Sequence, residues 1–300
     1  MKAVFDQVLV LVLFFFGGWT LCRRGIMRDT QAGALSACVI YFFLPCTMLR
    51  TFALNFTAEY LAAKYPILIV GSVMTVAIVL LSSPLSKRLT GEKYQQAVFE
   101  YLLVCPSYAY IGYELCRSLY GDIALLDLIV FTIPSSVLYT YSVGYCRILK
   151  KPLNAKFLLN PTIIAIALGA VIGLTGAALP NAAAILAEKA SACTAPVGMM
   201  TAGAAMARYS FREMLRDKTS YVLVAFRLLI IPAAAYFALR LLGLDEYIRS
   251  AILMLAMPVG TNTVVFPKMI DEECRTSASA LLTSHILCLA TIPLLVSRML

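Results

Sequence analysis

Ten apolar segments, each about as long as a membrane-spanning helix, follow one another along this 300-residue chain. They cover residues 4–22, 33–53, 62–83, 95–117, 123–145, 158–177, 183–206, 219–242, 247–269 and 277–297. A helix crosses the hydrocarbon core of a bilayer with about 20 apolar residues, so the pattern predicts ten transmembrane helices. Charged residues make up only 14% of the chain, too few to cover a soluble surface. The predicted fold class is an all-α polytopic membrane protein.

The distribution of lysine and arginine predicts the orientation in the bilayer. The loops after the first, third, fifth, seventh and ninth segments hold sixteen of these residues, and the opposite side holds seven. Because positively charged loops stay in the cytoplasm, both termini are expected outside it. The net charge of +9 therefore follows from membrane topology and does not indicate nucleic-acid binding.

Matched prolines predict an internal duplication. They pair at separations of 151, 152 and 159 residues, as Pro45 with Pro196, Pro106 with Pro258, and Pro134 with Pro293. The halves are residues 1–150 and 151–300, with five spans each. Since five is odd, the second half enters the membrane from the opposite side, which makes an inverted repeat. Such repeats are typical of secondary transporters.

The fourth and ninth spans are predicted to be broken near the bilayer centre and to cross there. Each is an apolar half-helix followed by proline and small polar residues, as in Cys105-Pro106-Ser107-Tyr108 and Met257-Pro258-Val259-Gly260-Thr261-Asn262. The N-terminal end of a half-helix exposes free N–H groups and the positive end of the helix dipole, which favours anions. Ordinary proline kinks are the alternative interpretation. The candidate substrate-binding residues are Pro106, Ser107, Tyr108, Tyr110, Pro258, Thr261 and Asn262, with Thr47 and Val197 beside the other matched prolines.

Two acidic residues of the fourth span, Glu100 and Glu114, are candidates for proton or charge coupling. A buried carboxyl group can carry a proton because burial disfavours its charged form. The alternative is that each is a carboxylate at a cavity edge. No cofactor is predicted, and no spacing of cysteine and histidine indicates a metal site.

Several motifs carry a resemblance to a known family across essentially the whole chain. They are Asn160-Pro161-Thr162-Ile163-Ile164-Ala165, Ala195-Pro196-Val197-Gly198, Arg227-Leu228-Leu229-Ile230-Ile231-Pro232, and Met257-Pro258 with Asn262. In their order and spacing the chain resembles the auxin efflux carrier family. The fourth span departs from the family pattern: Ser107 stands where asparagine is usual, and Gly112-Tyr113-Glu114 replaces Gly-x-Pro.

The resemblance implies a scaffold domain beside a transport domain, and elevator-like export of organic carboxylates such as dicarboxylates or auxin-like acids. The chain lacks the long central hydrophilic loop of the long plant exporters, so it resembles the bacterial members. We therefore expect it in the inner membrane of a bacterium. The expected partners are a small organic anion and the lipid bilayer; a homodimer is left open, and no nucleic acid is expected.

Three other functions are alternatives to export of an organic anion. A sodium- or proton-coupled symporter is the alternative within transport, but sodium sites need clustered oxygen ligands, and no acidic residue adjoins Thr261 and Asn262. An intramembrane enzyme is not expected, because no HExxH, DxxD or GxSxG motif occurs in the chain. A sensor has no need of an inverted repeat with broken helices.

Overall fold

The computed structural model describes residues 2–153, 159–272 and 275–300. Within these ranges the chain is almost entirely helical and contains no strand, apart from one isolated antiparallel bridge between Pro106 and Val259. The all-helical class predicted from the sequence is confirmed for the described residues.

The first half of the chain contains eight α-helices, several joined end to end by π-helical turns. They are α1 (Lys2–Arg23), α2 (Asp29–Cys38), α3 (Leu44–Asn55), α4 (Ala58–Lys64), α5 (Pro66–Leu89), α6 (Lys93–Val104), α7 (Tyr113–Pro134) and α8 (Gly144–Ile148). The π-helical stretches are Val39–Phe43, Tyr108–Gly112 and Ser135–Val143. The first of these stretches makes α2 and α3 one continuous helix. The second leads into α7, and the third joins α7 to α8.

The second half has the same character in its described residues. Its helices are α9 (Pro161–Thr175), α10 (Asn181–Met206), α11 (Phe211–Met214), α12 (Lys218–Ala225), α13 (Ile231–Leu241), α14 (Ile248–Leu255), α15 (Asn262–Lys268) and α16 (Arg275–Met299). A π-helical turn, Phe226–Ile230, joins α12 to α13, and a 3₁₀ turn, Asp245–Tyr247, precedes α14.

Six helical stretches of the described chain are long and apolar enough to cross a membrane. They are Lys2–Arg23, Asp29–Asn55, Pro66–Leu89, Tyr108–Ile148, Lys218–Leu241 and Arg275–Met299. The stretch Tyr108–Ile148 bends at Gly121, where φ is 84°. It contains the end of the predicted fourth span before this bend and the whole predicted fifth span after it. The start of the predicted fourth span lies on α6, the sixth span on α9, the seventh on α10, and the ninth on α14 and α15. Residue 158, where the predicted sixth span starts, lies outside the described ranges.

The helices pack in two groups that each draw on both halves of the chain. In the first group α1 packs on α10, and α3 packs on α9 and α10. Backbones touch there: a Cβ atom on Gly203 of α10 would lie 1.8 Å from the carbonyl oxygen of Phe15. Small residues allow such close helix contacts in membrane proteins. The second group contains α5 to α8 and α12 to α16.

The best-buried part of the molecule is the centre of the second group. Residues 97–104 of α6 and 250–255 of α14 are all buried. In contrast, α5 exposes a row of large apolar side chains, including Leu68, Val73 and Leu80. An apolar exposed face suits contact with lipid rather than water. The two helices that end at the molecule's centre, α6 and α14, define the candidate site.

Candidate functional site at two interrupted helices

Proline ends both central helices at matched positions. Helix α6 stops at Val104 and α14 stops at Leu255, each shortly before a proline. Proline has no N–H to donate and disfavours helical geometry in the preceding residue. Cys105, which precedes Pro106, accordingly has an extended backbone, with φ −107° and ψ 92°.

The two breaks lie against each other and pair through their backbones. The N–H of Ser107 donates to the carbonyl oxygen of Pro258 (2.8 Å), and the N–H of Gly260 donates to that of Cys105 (3.1 Å). Glycine is needed at position 260, since a Cβ atom there would lie 2.7 Å from the Cys105 oxygen. These bonds satisfy polar groups that the interrupted helices leave without partners.

A cavity of about 930 Å³, counting its open mouth, lies beside the paired breaks. Its walls come from both helix groups, because Leu44, Met48, Thr162 and Ile166 of the first group face residues of the second. The polar lining side chains are Tyr101, Tyr108, Tyr110, Tyr113, Tyr141, Ser107, Ser136, Thr132, Thr140, Thr162, Thr261 and Asn262. No acidic or basic side chain belongs to the lining that the structure describes.

Three buried hydroxyl groups in the described lining have no hydrogen-bond partner, those of Ser107, Thr162 and Thr261. Ser107 and Thr261, whose exposed fractions are 4% and 8%, come from the two different breaks. A buried hydroxyl without a partner costs free energy, so such groups call for an explanation. Tyr108 and Tyr113 differ, because their hydroxyls pair with Ser136 (2.6 Å) and Thr132 (2.7 Å).

The electrostatic character of the cavity favours negative charge. The helix that starts at Tyr108 and continues through α7 has its first residues in the cavity wall. The start of a helix carries a partial positive charge of about half an elementary charge. No carboxylate among the described lining residues opposes this charge. The site can therefore hold an anion by hydrogen bonds and a dipole.

Two further hollows share lining residues with the central cavity. A vestibule of about 1300 Å³ shares Tyr141 and Asn262 with it and reaches Lys151. A small hollow of about 270 Å³ shares Ala109 and Tyr113 with it and contains Glu114. The larger of the two hollows is lined by residues from the junction of the two halves of the chain, including Lys151 and Asn160.

A family model described as "Membrane transport protein" matches the chain twice, over residues 3–152 and 145–296. The chain belongs to this family. It is the auxin efflux carrier family, so the resemblance read from the sequence is confirmed. The protein is accordingly an integral membrane transporter. A search of curated proteins found no match.

In this carrier, most of the predicted site residues come together. Pro106, Ser107, Tyr108, Tyr110, Thr261 and Asn262 line the central cavity. Pro258 contributes its carbonyl oxygen to the bridge between the breaks rather than to the cavity wall.

Thr47 and Val197 lie away from the central cavity. The hydroxyl of Thr47 is 2.9 Å from that of Thr194, and both residues line the small hollow. Val197 is half-buried on α10 and is not among the residues of the cavity wall.

The two candidate coupling residues occupy different surroundings. Glu100 is buried, accepts a hydrogen bond from the Tyr139 hydroxyl (2.8 Å) and forms an ion pair with Arg147. It does not line the cavity. Glu114 lies in the small hollow near Arg117 and Ser191. Of the two, Glu114 lines a hollow that shares Ala109 and Tyr113 with the central cavity.

Sequence reasoning did not identify several cavity residues, among them Tyr101, Thr140 and Tyr141. Tyr101 lies before the proline of the broken fourth span, and Thr140 and Tyr141 lie in a fifth span that looked like an ordinary apolar segment. The close succession of Tyr139, Thr140 and Tyr141 is a sequence signal that could have indicated Thr140 and Tyr141.

An ion-pair network joins the two helix groups beside the small hollow. The Asp122 carboxylate contacts Arg50 of α3 (3.4 Å) and Arg117 of α7 (3.0 Å). Arg117 also reaches Ser191 of α10 (3.5 Å). These contacts connect the groups beside the small hollow, which Arg117 and Ser191 also line.

A buried carboxylate, Asp127, anchors the short helix α4 to α7. It accepts a hydrogen bond from the Tyr60 hydroxyl (2.8 Å) and contacts Arg249 (3.3 Å). Burial and the neighbouring Asp127 charge raise the pKa of Tyr60 above its ordinary value. Tyr60 therefore stays protonated and continues to donate this bond at any physiological pH.

Proposed function

We propose that this protein is a secondary transporter that exports a small organic anion, a carboxylate such as a dicarboxylate or an auxin-like acid. The observation that carries the proposal is the pair of buried, unpartnered hydroxyls of Ser107 and Thr261 in a cavity wall whose described residues include no acidic side chain. A carboxylate accepts several hydrogen bonds and would satisfy both hydroxyls at once.

The proposed topology has ten transmembrane helices in a five-plus-five inverted repeat, with both termini outside the cytoplasm of a bacterial inner membrane. The matched breaks at Pro106 and Pro258 and their antiparallel pairing support it. In this topology the wide vestibule at Lys151 faces the cytoplasm, from which an exported anion would enter.

The proposed mechanism is alternating access of the elevator type. The cavity wall is shared between two helix groups, so a sliding of one group against the other would carry the site across the membrane. The membrane potential contributes about 2.3 kcal/mol per charge at 100 mV and favours outward movement of an anion. Glu114, in the small hollow, is the better placed candidate for proton coupling.

The test is uptake of radiolabelled malate, malonate and indole-3-acetate into inside-out proteoliposomes in sodium-free buffer. Saturable uptake that increases when the vesicle interior is positive would support export of an anion. Uptake that requires added sodium would favour the symporter alternative. No uptake of any acid with or without sodium or a pH gradient would refute the proposal.

A further inference from the structure

Arg227 is the largest side chain that is completely buried in the described part of the protein. It lies on the π-helical turn between α12 and α13, in the interior of a membrane-spanning stretch. No described carboxylate forms an ion pair with it, although a buried guanidinium is costly unless its charge is compensated.

Its hydrogen bonds run to both interrupted helices. Nη1 donates to the carbonyl oxygen of Leu103 (2.9 Å), and Nη2 donates to that of Met254 (3.3 Å). These carbonyls belong to the last turns of α6 and α14. One side chain thus contacts the C-terminal ends of both half-helices.

The breaks themselves leave these two carbonyls without their helical partners. In an uninterrupted helix Met254 would accept from residue 258, which is a proline and has no N–H. Leu103 would accept from Ser107, whose N–H donates instead to Pro258 in the other break. Arg227 supplies the donors that both helices have lost.

The positive charge of Arg227 is also complementary to the partial charges of the two helix ends. The C-terminal end of a helix carries about half a negative elementary charge, so two such ends together offset one guanidinium. The cavity lies where the second half of the fourth span begins, at Ser107 and Tyr108. Arg227 does not line the cavity, and it therefore leaves the wall free for a ligand.

We infer that Arg227 is a positioning residue that fixes the two interrupted helices relative to each other by binding both of their C-terminal ends. It acts through its charge and its donors, without contacting the transported molecule. The relevance of this role to anion transport rests on the proposed function, but the role itself does not.

The test is hydrogen–deuterium exchange of the purified full-length protein, without any substrate, in four forms: wild type, Arg227→Met, Arg227→Lys and Arg240→Met. Methionine and lysine are unbranched and similar in length, so they differ chiefly in charge. Arg240 is a matched control, because it lies on α13 of the same stretch with its side chain exposed.

In Arg227→Met we expect amides of residues 103–112 and 254–265 to exchange about tenfold faster or more, as loss of a charge-assisted hydrogen bond implies. Both breaks should respond, while α1 and α10 keep wild-type rates. Arg227→Lys should recover most of the protection, and Arg240→Met should match the wild type.

The inference would be overturned if the methionine and lysine variants exchanged alike, or if only one break responded. If Arg227→Met cannot be purified in folded form, Arg227→Gln replaces it and the same comparison with lysine decides. Because no substrate is used, failure here is separate from failure of the uptake experiment.

Discussion

Glu100 has a structural environment that differs from the role expected from the sequence. From the sequence it was a candidate proton carrier. In the structure its carboxylate is committed to Arg147 and Tyr139, outside the cavity wall. These contacts favour a role in fixing α6 to the fifth span.

We therefore expect Glu100→Gln to lower the midpoint of thermal unfolding and to leave the pH dependence of transport unchanged. Removing the charged acceptor should lower the free energy of unfolding by about 1–2 kcal/mol. The loss stays moderate because Arg147 is half-exposed and its guanidinium can bind water instead. Glu188→Gln, at an exposed position on α10, is the control. An unchanged midpoint together with a flattened pH profile would instead assign proton coupling to Glu100.

At the scale of elements, the pairing of the two breaks depends on close backbone approach. Gly260→Ala would place a methyl group 2.7 Å from the Cys105 oxygen and push the breaks apart. Such overpacking typically costs about 1–3 kcal/mol. We expect a lower unfolding midpoint and slower uptake.

Gly17→Ala is the matched control for this substitution, because a methyl group there meets no atom within 4 Å. Equal behaviour of the two alanine variants would contradict the claim that the breaks need this contact.

The elements themselves could largely be anticipated from the sequence. Apolar length and proline spacing placed the helices and both breaks, because these depend on local chemistry. The bonds from Arg227 to Leu103 and Met254 could not be anticipated, since they join residues 124 and 27 positions apart. The same holds for Tyr141, whose place in the cavity wall depends on how the fifth span docks, and for Thr47, which lies outside that wall.

For the whole molecule, the ion pairs at Asp122 are expected to favour the arrangement in which the vestibule is open. Asp122→Asn removes the charge that links Arg50 of one helix group to the other. We expect Thr47→Cys, in a background without native cysteines, to react about two- to fivefold faster with an impermeant maleimide when Asp122 is replaced.

Asp245→Asn, which breaks an exposed ion pair with Arg240, is the control for a general loss of charge. If Asp122→Asn labelled no faster than this control, the ion pairs would have no part in holding the two groups together on that side.

The transported anion is proposed to bind at the paired breaks. The most direct test is uptake by Ser107→Ala/Thr261→Val in the same inside-out vesicles as the wild type. Ser82→Ala removes a buried, unpartnered hydroxyl on α5, outside the cavity wall, and serves as the control. Loss of two hydrogen bonds to a charged ligand should raise the half-saturating concentration about tenfold or more, while the control keeps the wild-type value. A double variant that saturates at the wild-type concentration would contradict the claim.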